Sequence, residues 1–212
     1  MTPDDRTPLE ELSLLAVDLE TTGLSPARDQ VLAVGWVPVD GSRIDLSGAR
    51  RHVVRRDDPG GAVTIHGLTH DDLAEGRPLA EVLGELRLAL AGRVLLAHHA
   101  PFELAFLDAA FRSVGEPPAL PPAVCTLELQ QRLLARQGVV HHGALRLWGA
   151  RERHGLPVTQ AHDALGDALA CAELYLAQTA ELSADGPLGL HDVRRREPLL
   201  ERLRTWLRRR GG

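Results

Sequence analysis

The pattern of hydrophobic and polar residues predicts strands in the first part of the chain. Leu12 to Leu19 is a short, almost continuous apolar run, which is typical of a strand buried on both faces. Asp40-Gly41 separates two further runs and is a strong hairpin turn, because glycine accepts a positive φ without steric cost. Five strands are predicted, at Leu12 to Leu19, Gln30 to Val39, Arg43 to Arg55, Val94 to Ala97 and a short segment that ends at Cys125.

Helical spacing of apolar residues follows the Gly-rich loop at Pro59-Gly60-Gly61. Helices are predicted at Pro78 to Ala91, Pro101 to Val114, Leu127 to Arg136, Gly143 to His154 and Ala164 to Thr179, with a surface loop at Glu116 to Pro122. A meander of strands, followed by strands that alternate with helices, indicates an α/β fold. We expect a mixed five-stranded sheet that is flanked by helices.

Composition limits the class of protein. The 212 residues, 44% of them hydrophobic, are enough for one well-packed domain. No apolar run approaches the roughly 18 residues that a membrane span needs, and the first residues do not resemble a signal peptide. We therefore expect a cytoplasmic protein without stable membrane association. Cys125 and Cys171 have no CxxC spacing, so neither a disulfide framework nor a thiolate zinc site is expected.

Charge is distributed unevenly. All 24 basic residues are arginine, which excludes mechanisms that need a lysine, such as Schiff-base and P-loop chemistry. From Leu190 onward eight arginines face three acidic residues, a local net charge of +5, so the total of −5 leaves −10 on residues 1–189. A body this acidic is a poor general binder of nucleic acid unless cations or the basic tail compensate.

The tail is predicted to be a basic amphipathic helix. Its apolar residues after Pro198 fall at helical spacing, at Leu199, Leu200, Leu203, Trp206 and Leu207. The predicted organisation is an N-terminal arm at 1–11, a main domain at 12–180, a linker at 181–189 and the basic helix at 190–212. Four interpretations of the helix stay open: docking on its own domain, contact with nucleic acid, docking to a partner protein such as a polymerase, and binding at a membrane surface, which has only this segment in its favour.

Three segments carry candidate chemistry. Asp18 and Glu20 close the first strand and share one of its faces, which is costly unless a cation or proton lies between them. His162 precedes a helix whose first turns hold Asp167, and Glu103 opens the helix after the fourth strand. Each segment also has a simpler interpretation: acids solvated in a turn, a first-turn acid favoured by the helix dipole, and a surface glutamate.

Together the three segments resemble the motifs of the DEDD superfamily of exonucleases, in order and in spacing. They read Val17-Asp-Leu-Glu-Thr-Thr-Gly-Leu24, Ala97-His-His-Ala-Pro-Phe-Glu-Leu-Ala-Phe-Leu107 and His162-Asp-Ala-Leu-Gly-Asp167. Ile65-His-Gly-Leu-Thr69 and Cys125-Thr-Leu-Glu-Leu match two supporting segments. The resemblance covers roughly residues 12 to 180 and is strongest to the histidine subfamily, which contains the proofreading epsilon subunit of bacterial DNA polymerase III.

The resemblance implies a ribonuclease-H-like fold and hydrolysis of nucleic acid from its 3′ end to nucleoside 5′-monophosphates, with two divalent cations, Mg²⁺ or Mn²⁺. It implies that the metal ligands are Asp18, Glu20, Glu103 and Asp167, and that His162 is the general base. It further implies that the substrate is bound by Thr21, Thr22, Gly23, Leu24, His66, His98 and Phe102. Proofreading or repair of single-stranded DNA ends is the expected role.

The second motif departs from the family pattern at two positions. The family usually has Asn where His99 stands and Asp where Glu103 stands. Glutamate is one methylene longer than aspartate, whereas Mg²⁺ requires near-ideal octahedral geometry, so a shift toward Mn²⁺ is expected. Two alternatives therefore stay open: a weakened or inactive module that binds nucleic acid or a protein partner, and an exoribonuclease that trims RNA.

Overall fold

The computed structural model describes residues 3–56, 67–118, 120–136, 138, 143–157 and 163–195. Within these ranges the chain forms one mixed sheet with helices on both faces. The strands are β1 (Ser13–Thr21), β2 (Val31–Asp40), β3 (Arg43–Ile44), β4 (Arg50–Val53), β5 (Val94–Ala97) and β6 (Ala123–Cys125). The helices are α1 (His70–Ala74), α2 (Leu79–Leu90), α3 (Ala100–Ser113), α4 (Thr126–Ala135), α5 (Leu147–Arg153), α6 (Ala164–Leu182) and α7 (Leu190–Val193), with 3₁₀ turns at Leu9–Glu11, Leu46–Gly48 and Ser183–Asp185.

The sheet has the strand order β3-β2-β1-β5-β6, and β4 pairs with the same edge of β2 as β3. β1 pairs antiparallel with β2 and parallel with β5, and β5 pairs parallel with β6. This arrangement confirms the predicted α/β fold with a mixed sheet. It also makes β1 the strand at which the sheet changes from antiparallel to parallel.

The predicted number of five strands is wrong, because the segment predicted as one strand from Arg43 to Arg55 forms two. Strand pairing ends before Asp45, which is the N-cap of a 3₁₀ turn. Its Oδ1 accepts a hydrogen bond from the backbone N of Ser47 at 2.9 Å. A short polar side chain that bonds the backbone locally competes with the sheet ladder. Gly41 has φ 58°, as the predicted hairpin turn requires.

Two hydrophobic clusters lie on opposite faces of the sheet. β1 contributes alternate side chains to both, with Leu15 and Val17 on one face and Leu14 and Ala16 on the other. The first face packs against α2 and α3, and the second packs against α4, α5 and α6. Because β1 is buried from both sides, its polar end residues are surrounded by helices.

The described ends of the chain pack against each other. Leu9 N donates to Leu188 O, and Leu190 N donates to Thr7 O. The backbone of Arg194 then forms an antiparallel β-bridge with Val124 of β6. These segments belong to the predicted arm, linker and tail, whose boundaries stay a prediction. The predicted amphipathic helix after Pro198 lies outside the described residues. None of the helices that the structure describes is long and apolar enough to span a membrane.

Candidate active site

Two carboxylates lie side by side at the carboxyl end of β1. Asp18 and Glu20 are two residues apart on this strand, so they share one face. β1 does not stop at Val17, which would leave both acids in a turn, but continues to Thr21. Its parallel pairing with β5 covers only Leu14–Ala16. Both carboxylates therefore lie past the end of the parallel ladder, where the sheet leaves space between neighbouring strands.

The third carboxylate comes from the first turn of α6. Asp163 is the N-cap of this helix, and its Oδ2 accepts from the backbone N of Gly166 at 3.0 Å. Asp167, one turn further on, is 9% exposed. One carboxylate oxygen from each of Asp18, Glu20 and Asp167 lies within 4.8 Å of the others. The structure thus brings together three of the four predicted metal ligands.

Gly35 allows α6 to approach β1 this closely. It pairs with Asp18 across β1 and β2, and a Cβ built on Gly35 would lie 2.2 Å from the carbonyl carbon of Ala164. Any other residue would therefore collide with the backbone of α6. Sequence reasoning missed this residue, although a glycine inside an apolar strand indicates the close approach of another backbone.

Glu103, the fourth predicted ligand, is buried beside the other three. It lies in the first turn of α3, is 4% exposed, and its Oε2 has no hydrogen-bond partner among the described residues. Its carboxylate falls outside the 4.8 Å group, but its charge is close enough to raise the pKa of Asp18. A buried carboxylate oxygen without a partner is costly, so this position is suited to a cation or proton.

The electrostatics of the cluster favour cations. Burial, followed by the charges of Glu103 and Asp167, raises the pKa of Asp18 well above its ordinary value. Burial and the neighbouring Asp167 raise the pKa of Glu20 to about 7, and burial raises the pKa of Glu103 to about 8. Without metal, Glu20 and Glu103 therefore retain protons near neutral pH. Carboxylate oxygens are the ligands that Mg²⁺ and Mn²⁺ prefer, so the residues present fit these ions.

One arginine lies at the rim of the cluster. Arg51 of β4 donates from Nε to Oδ1 of Asp163 at 2.6 Å, and its charge lowers the pKa of Glu20 against the stronger effects that raise it. Arg51 pairs with Gly35, which pairs with Asp18. The three residues form a row across the sheet under the start of α6. The two residues of the ion pair are 112 positions apart, so sequence reasoning had no signal for it.

The end of β1 and the loop that follows it carry four of the predicted substrate residues. Thr21 Oγ1 donates to Gly23 O at 2.6 Å, and Thr22 Oγ1 accepts from Gln30 N at 3.0 Å. Leu24 is 84% exposed at the tip of this loop. An exposed leucine beside a polar cleft can pack against an apolar ligand surface, such as a base.

Phe102 lies between two aromatic neighbours at the start of α3. Its ring stacks on that of His99, with centroids 6.3 Å apart and 13° between the planes, and contacts Phe106 at 4.6 Å. His99 is exposed and Phe102 is half-buried. The two rings thus offer a partly open aromatic surface next to Glu103.

His98 is occupied inside the protein. Burial lowers the pKa of His98 to about 4, so its ring is neutral. Nε2 lies 3.0 Å from Leu145 O and donates to it, and Nδ1 lies 2.8 Å from Thr126 Oγ1 and accepts from it. The Cys171 thiol, 3.7 Å from that hydroxyl, completes the chain as donor. His98 therefore links β5 to α4 and to the segment before α5. Both of its ring nitrogens are used in these hydrogen bonds, so neither is left for a ligand.

Two predicted site residues, His66 and His162, lie outside the described residues. His162 immediately precedes Asp163, whose capping and ion-pair contacts are described above. The predicted general base and the predicted second histidine of the substrate site therefore stay predictions.

Comparison with known proteins gives the family. The chain matches the exonuclease family (RNase_T) over residues 15–175. It is similar to the PolC-type DNA polymerase III of Staphylococcus haemolyticus, with 30% identity over 197 residues, which cover 90% of this chain and 13% of the relative. The corresponding protein of Staphylococcus aureus is 27% identical over 192 residues, 89% of this chain and 13% of the relative. The chain thus spans about an eighth of the length of these curated relatives.

Solved structures show the same fold. Escherichia coli exonuclease I in complex with a dT13 oligonucleotide superposes with a TM-score of 0.71 at 19% identity, covering 82% of this chain and 43% of that one. Cell-death related nuclease 4 superposes with a TM-score of 0.68 at 15% identity, covering 81% and 65%. The motifs, the convergent carboxylates and the match over residues 15–175 lead to one conclusion: the chain belongs to the exonuclease family of the DEDD superfamily.

Proposed function

We propose that the protein is a metal-dependent 3′→5′ exonuclease that degrades single-stranded DNA to nucleoside 5′-monophosphates. One observation carries the proposal: carboxylates from β1 and α6 converge within 4.8 Å, beside a fourth, buried carboxylate on α3. Such a cluster is unstable as four anions and suits two divalent cations. Cations of this kind supply Lewis-acid stabilisation of a phosphodiester and of its leaving oxygen.

The residues of the chain take distinct roles in this proposal. Asp18, Glu20, Glu103 and Asp167 hold the cations. His162 removes the proton from the attacking water, because an imidazole titrates near neutral pH. The Asp163 cap, tied to Arg51, fixes the start of α6 next to His162.

The substrate side of the proposal rests on the loop after β1 and on α3. Thr21, Thr22 and Gly23 surround the terminal nucleotide, while Leu24 and Phe102 pack on bases. His66, which lies outside the described residues, is the further substrate contact in this proposal. Exonuclease I, which shares the fold, was solved with a dT13 oligonucleotide, and this supports a single strand as substrate. The PolC-type relatives support a proofreading context, with residues 190–212 as the proposed contact to a polymerase. Cytoplasmic localisation stays a prediction.

A second candidate function is a non-catalytic module that binds nucleic acid or a partner. One observation favours it: Glu103 replaces the family aspartate, and its carboxylate lies outside the 4.8 Å group. Metal binding separates the two candidates, because a ligand that binds only the folded state raises the melting temperature. Mn²⁺ or Mg²⁺ should raise it in the wild type and leave it unchanged in Asp18→Asn.

The decisive experiment is degradation of labelled single-stranded DNA, duplex DNA and RNA in parallel, with the label at the 5′ end. A 3′→5′ exonuclease gives a ladder of shortened products and free nucleoside 5′-monophosphates. Asp18→Asn should abolish the ladder, while Asp108→Asn, which removes the same charge from an exposed ion pair with Arg112, should keep it. His162→Ala should lower the rate roughly 10² to 10⁴-fold. Faster loss of RNA than DNA would identify an exoribonuclease instead.

A further inference from the structure

A small cavity lies beside the loop that follows β1, separate from the carboxylate cluster. Its volume is about 180 Å³, which is below the usual size of a pocket for a whole small-molecule ligand. The cavity is lined by residues from the loop, from the segment after β4, and from α2 and α3, among them Asp29, Gln30, Arg56, Leu79, Phe106 and Ser113. A single charged group fits this space better than a complete nucleotide does.

Arg56 is the unusual member of this lining. Within the described ranges, six arginines besides Arg56 are buried or half-buried, and each of them pairs with a carboxylate. They are Arg77, Arg87, Arg93, Arg151, Arg153 and Arg195. Arg56 is half-buried too, but with the described residues its side chain makes one hydrogen bond, from Nε to Val31 O at 3.2 Å. Burial lowers the pKa of its guanidinium, and no described carboxylate opposes that effect. Partial burial of a charge without a counter-ion is costly.

The acidic residue of the cavity does not serve as that counter-ion. Asp29 is engaged within its own loop, because its Oδ2 accepts from Ser25 N at 2.7 Å and its Oδ1 accepts from Thr22 Oγ1 at 3.4 Å. The remaining lining residues carry no charge: Gln30 and Ser113 are polar, and the others, among them Leu79 and Phe106, are apolar. Arg56 therefore faces a cavity that offers it no negative charge beyond the occupied Asp29 carboxylate.

The cavity adjoins the reaction site along the sheet. Val31, whose carbonyl accepts from Arg56, pairs with Thr21 at the end of β1, one residue after Glu20. Thr22, which bonds Asp29, follows directly. A strand held by the loop after β1 would thus carry its phosphates past Arg56.

We propose that Arg56 and this cavity form a phosphate-binding subsite, which contacts a backbone phosphate of the nucleic-acid strand away from the scissile bond. The inference rests on the proposed function for the identity of the strand. A guanidinium is suited to this task, because it stays charged when partly buried and offers several donors to phosphate oxygens. The same chemistry would accept a free phosphate, so the two sources need separate measurements.

The test compares Arg56→Gln with Arg55→Gln. Arg55 is the neighbouring exposed arginine, and its Nε also donates to a backbone carbonyl, Gly76 O at 3.0 Å. Both variants lose one positive charge. Binding of a fluorescein-labelled single-stranded thymidine oligonucleotide is measured by anisotropy over a range of salt, with Ca²⁺ in place of Mg²⁺ so that binding is followed without turnover. A second arm measures the melting temperature with and without inorganic phosphate.

We expect Arg56→Gln to weaken oligonucleotide binding on the order of tenfold, the usual effect of losing a charge-assisted hydrogen bond. The slope of log affinity against log salt should become shallower by about 0.7, as for one phosphate on a single strand. Arg55→Gln should stay within about twofold of wild type by the same measure. A melting shift with phosphate that Arg56→Gln alone loses would show that the subsite also takes free phosphate.

Equal binding and equal salt slopes for the two variants would overturn the subsite, as would a wild type that binds neither probe. Modification of wild-type arginines by phenylglyoxal gives a measurement that does not depend on a folded variant: the oligonucleotide should protect Arg56 and leave Arg55 reactive. These outcomes are independent of hydrolysis. Failure of the proposed function would appear separately, as a wild type that degrades no substrate.

Discussion

Gly35 lies directly across from Asp18 in the pairing of β1 with β2, and the backbone of Ala164 occupies the space that a side chain at position 35 would need. The first turn of α6, which carries Asp167, rests on that contact. The spacing of the carboxylates therefore depends on a residue that has no chemistry of its own.

Replacing Gly35 with Ala should disrupt the site more than it disrupts the fold. The new Cβ would lie 2.2 Å from the carbonyl carbon of Ala164, so α6 must move away from β1 and Asp167 with it. Overpacking of this kind costs about 1 to 3 kcal/mol of the free energy of unfolding, and activity should fall by much more than the lost folded fraction explains. Chemical denaturation and initial rates on single-stranded DNA measure the two effects.

The matched control is Gly84→Ala on the exposed side of α2, where a Cβ meets nothing within 4 Å. This change should raise stability by up to about 1 kcal/mol, because alanine is the better helix former. Its activity should equal that of the wild type. Full activity of Gly35→Ala would show that α6 tolerates the shift and that the close approach does not set the metal geometry.

Metal-free protein should lose stability as pH rises from 6.5 to 8. The folded-state pKa values of Glu20 and Glu103, about 7 and about 8, lie above the ordinary value of 4.5. The folded state therefore binds more protons than the unfolded state in this window, and stability falls as pH rises through the folded-state pKa values. Each kilocalorie per mole that is lost from the free energy of unfolding lowers the melting temperature by about 2 to 4 °C in a domain of this size.

Mn²⁺ or Mg²⁺ should remove this decline, because cations replace the protons and bind better as the carboxylates ionise. The measurement is melting temperature against pH, in EDTA and in each metal. The low pKa of His98 has the opposite effect, since its neutral folded form costs stability below its unfolded pKa near 6.5, so the comparison starts above that value. Parallel curves with and without metal would contradict the assignment of the cluster as a cation site.

Glu103 should set the metal preference. Its extra methylene must be absorbed by a shift of α3 or by a bridging water, since Mg²⁺ does not stretch its bonds. We expect the wild type to favour Mn²⁺, Glu103→Asp to raise the Mg²⁺-supported rate relative to the Mn²⁺-supported one, and Glu103→Gln to abolish nearly all activity. Initial rates on a single-stranded oligonucleotide with each metal measure the effect, with Asp108→Asn on the same helix as control. Wild-type rates in Glu103→Gln would favour the non-catalytic interpretation.

Removal of the basic tail should begin after Arg195, because Leu190 and Val193 are buried and Arg194 bridges to β6. Deletion of residues 196–212 should then leave the melting temperature unchanged. If the tail contacts phosphates, the salt dependence of oligonucleotide binding should become shallower. An unchanged salt slope together with a lower melting temperature would instead support a helix docked on its own domain.

Local signals predicted most of the elements. Val94 to Ala97 was predicted as a strand and is β5, and the helix predicted at Pro78 to Ala91 is α2, Leu79–Leu90. These segments are bounded by Gly, Pro or charge, and their apolar period is clear. The split of the third strand was missed, because the capping bond of Asp45 with Ser47 competes with an otherwise strand-like pattern.

The carboxylate cluster was predictable only through the motifs. Asp18 and Glu20 are neighbours in sequence, but nothing in the periodicity brings Asp167 to them. Gly35 and Arg51 were missed, since their roles depend on which helix crosses the sheet at that point. His98 was predicted as a substrate residue from its motif. Its bonds to Thr126 and Leu145 arise from tertiary packing that no local pattern encodes.

The contact between the two described ends of the chain bears on how this domain can be joined to others. Pro8 forms a β-bridge with Gly189 before the start of β1, whereas Asp18 and Glu20 lie toward the other end of that nine-residue strand. At about 3.3 Å per residue, Asp18 and Glu20 lie roughly 17 and 23 Å along β1 from Ser13. Polypeptide joined ahead of Pro8 would therefore start on the side of the sheet away from these two carboxylates. A further domain joined at this end would leave the loop after β1 and the cleft beside it open to a nucleic-acid strand.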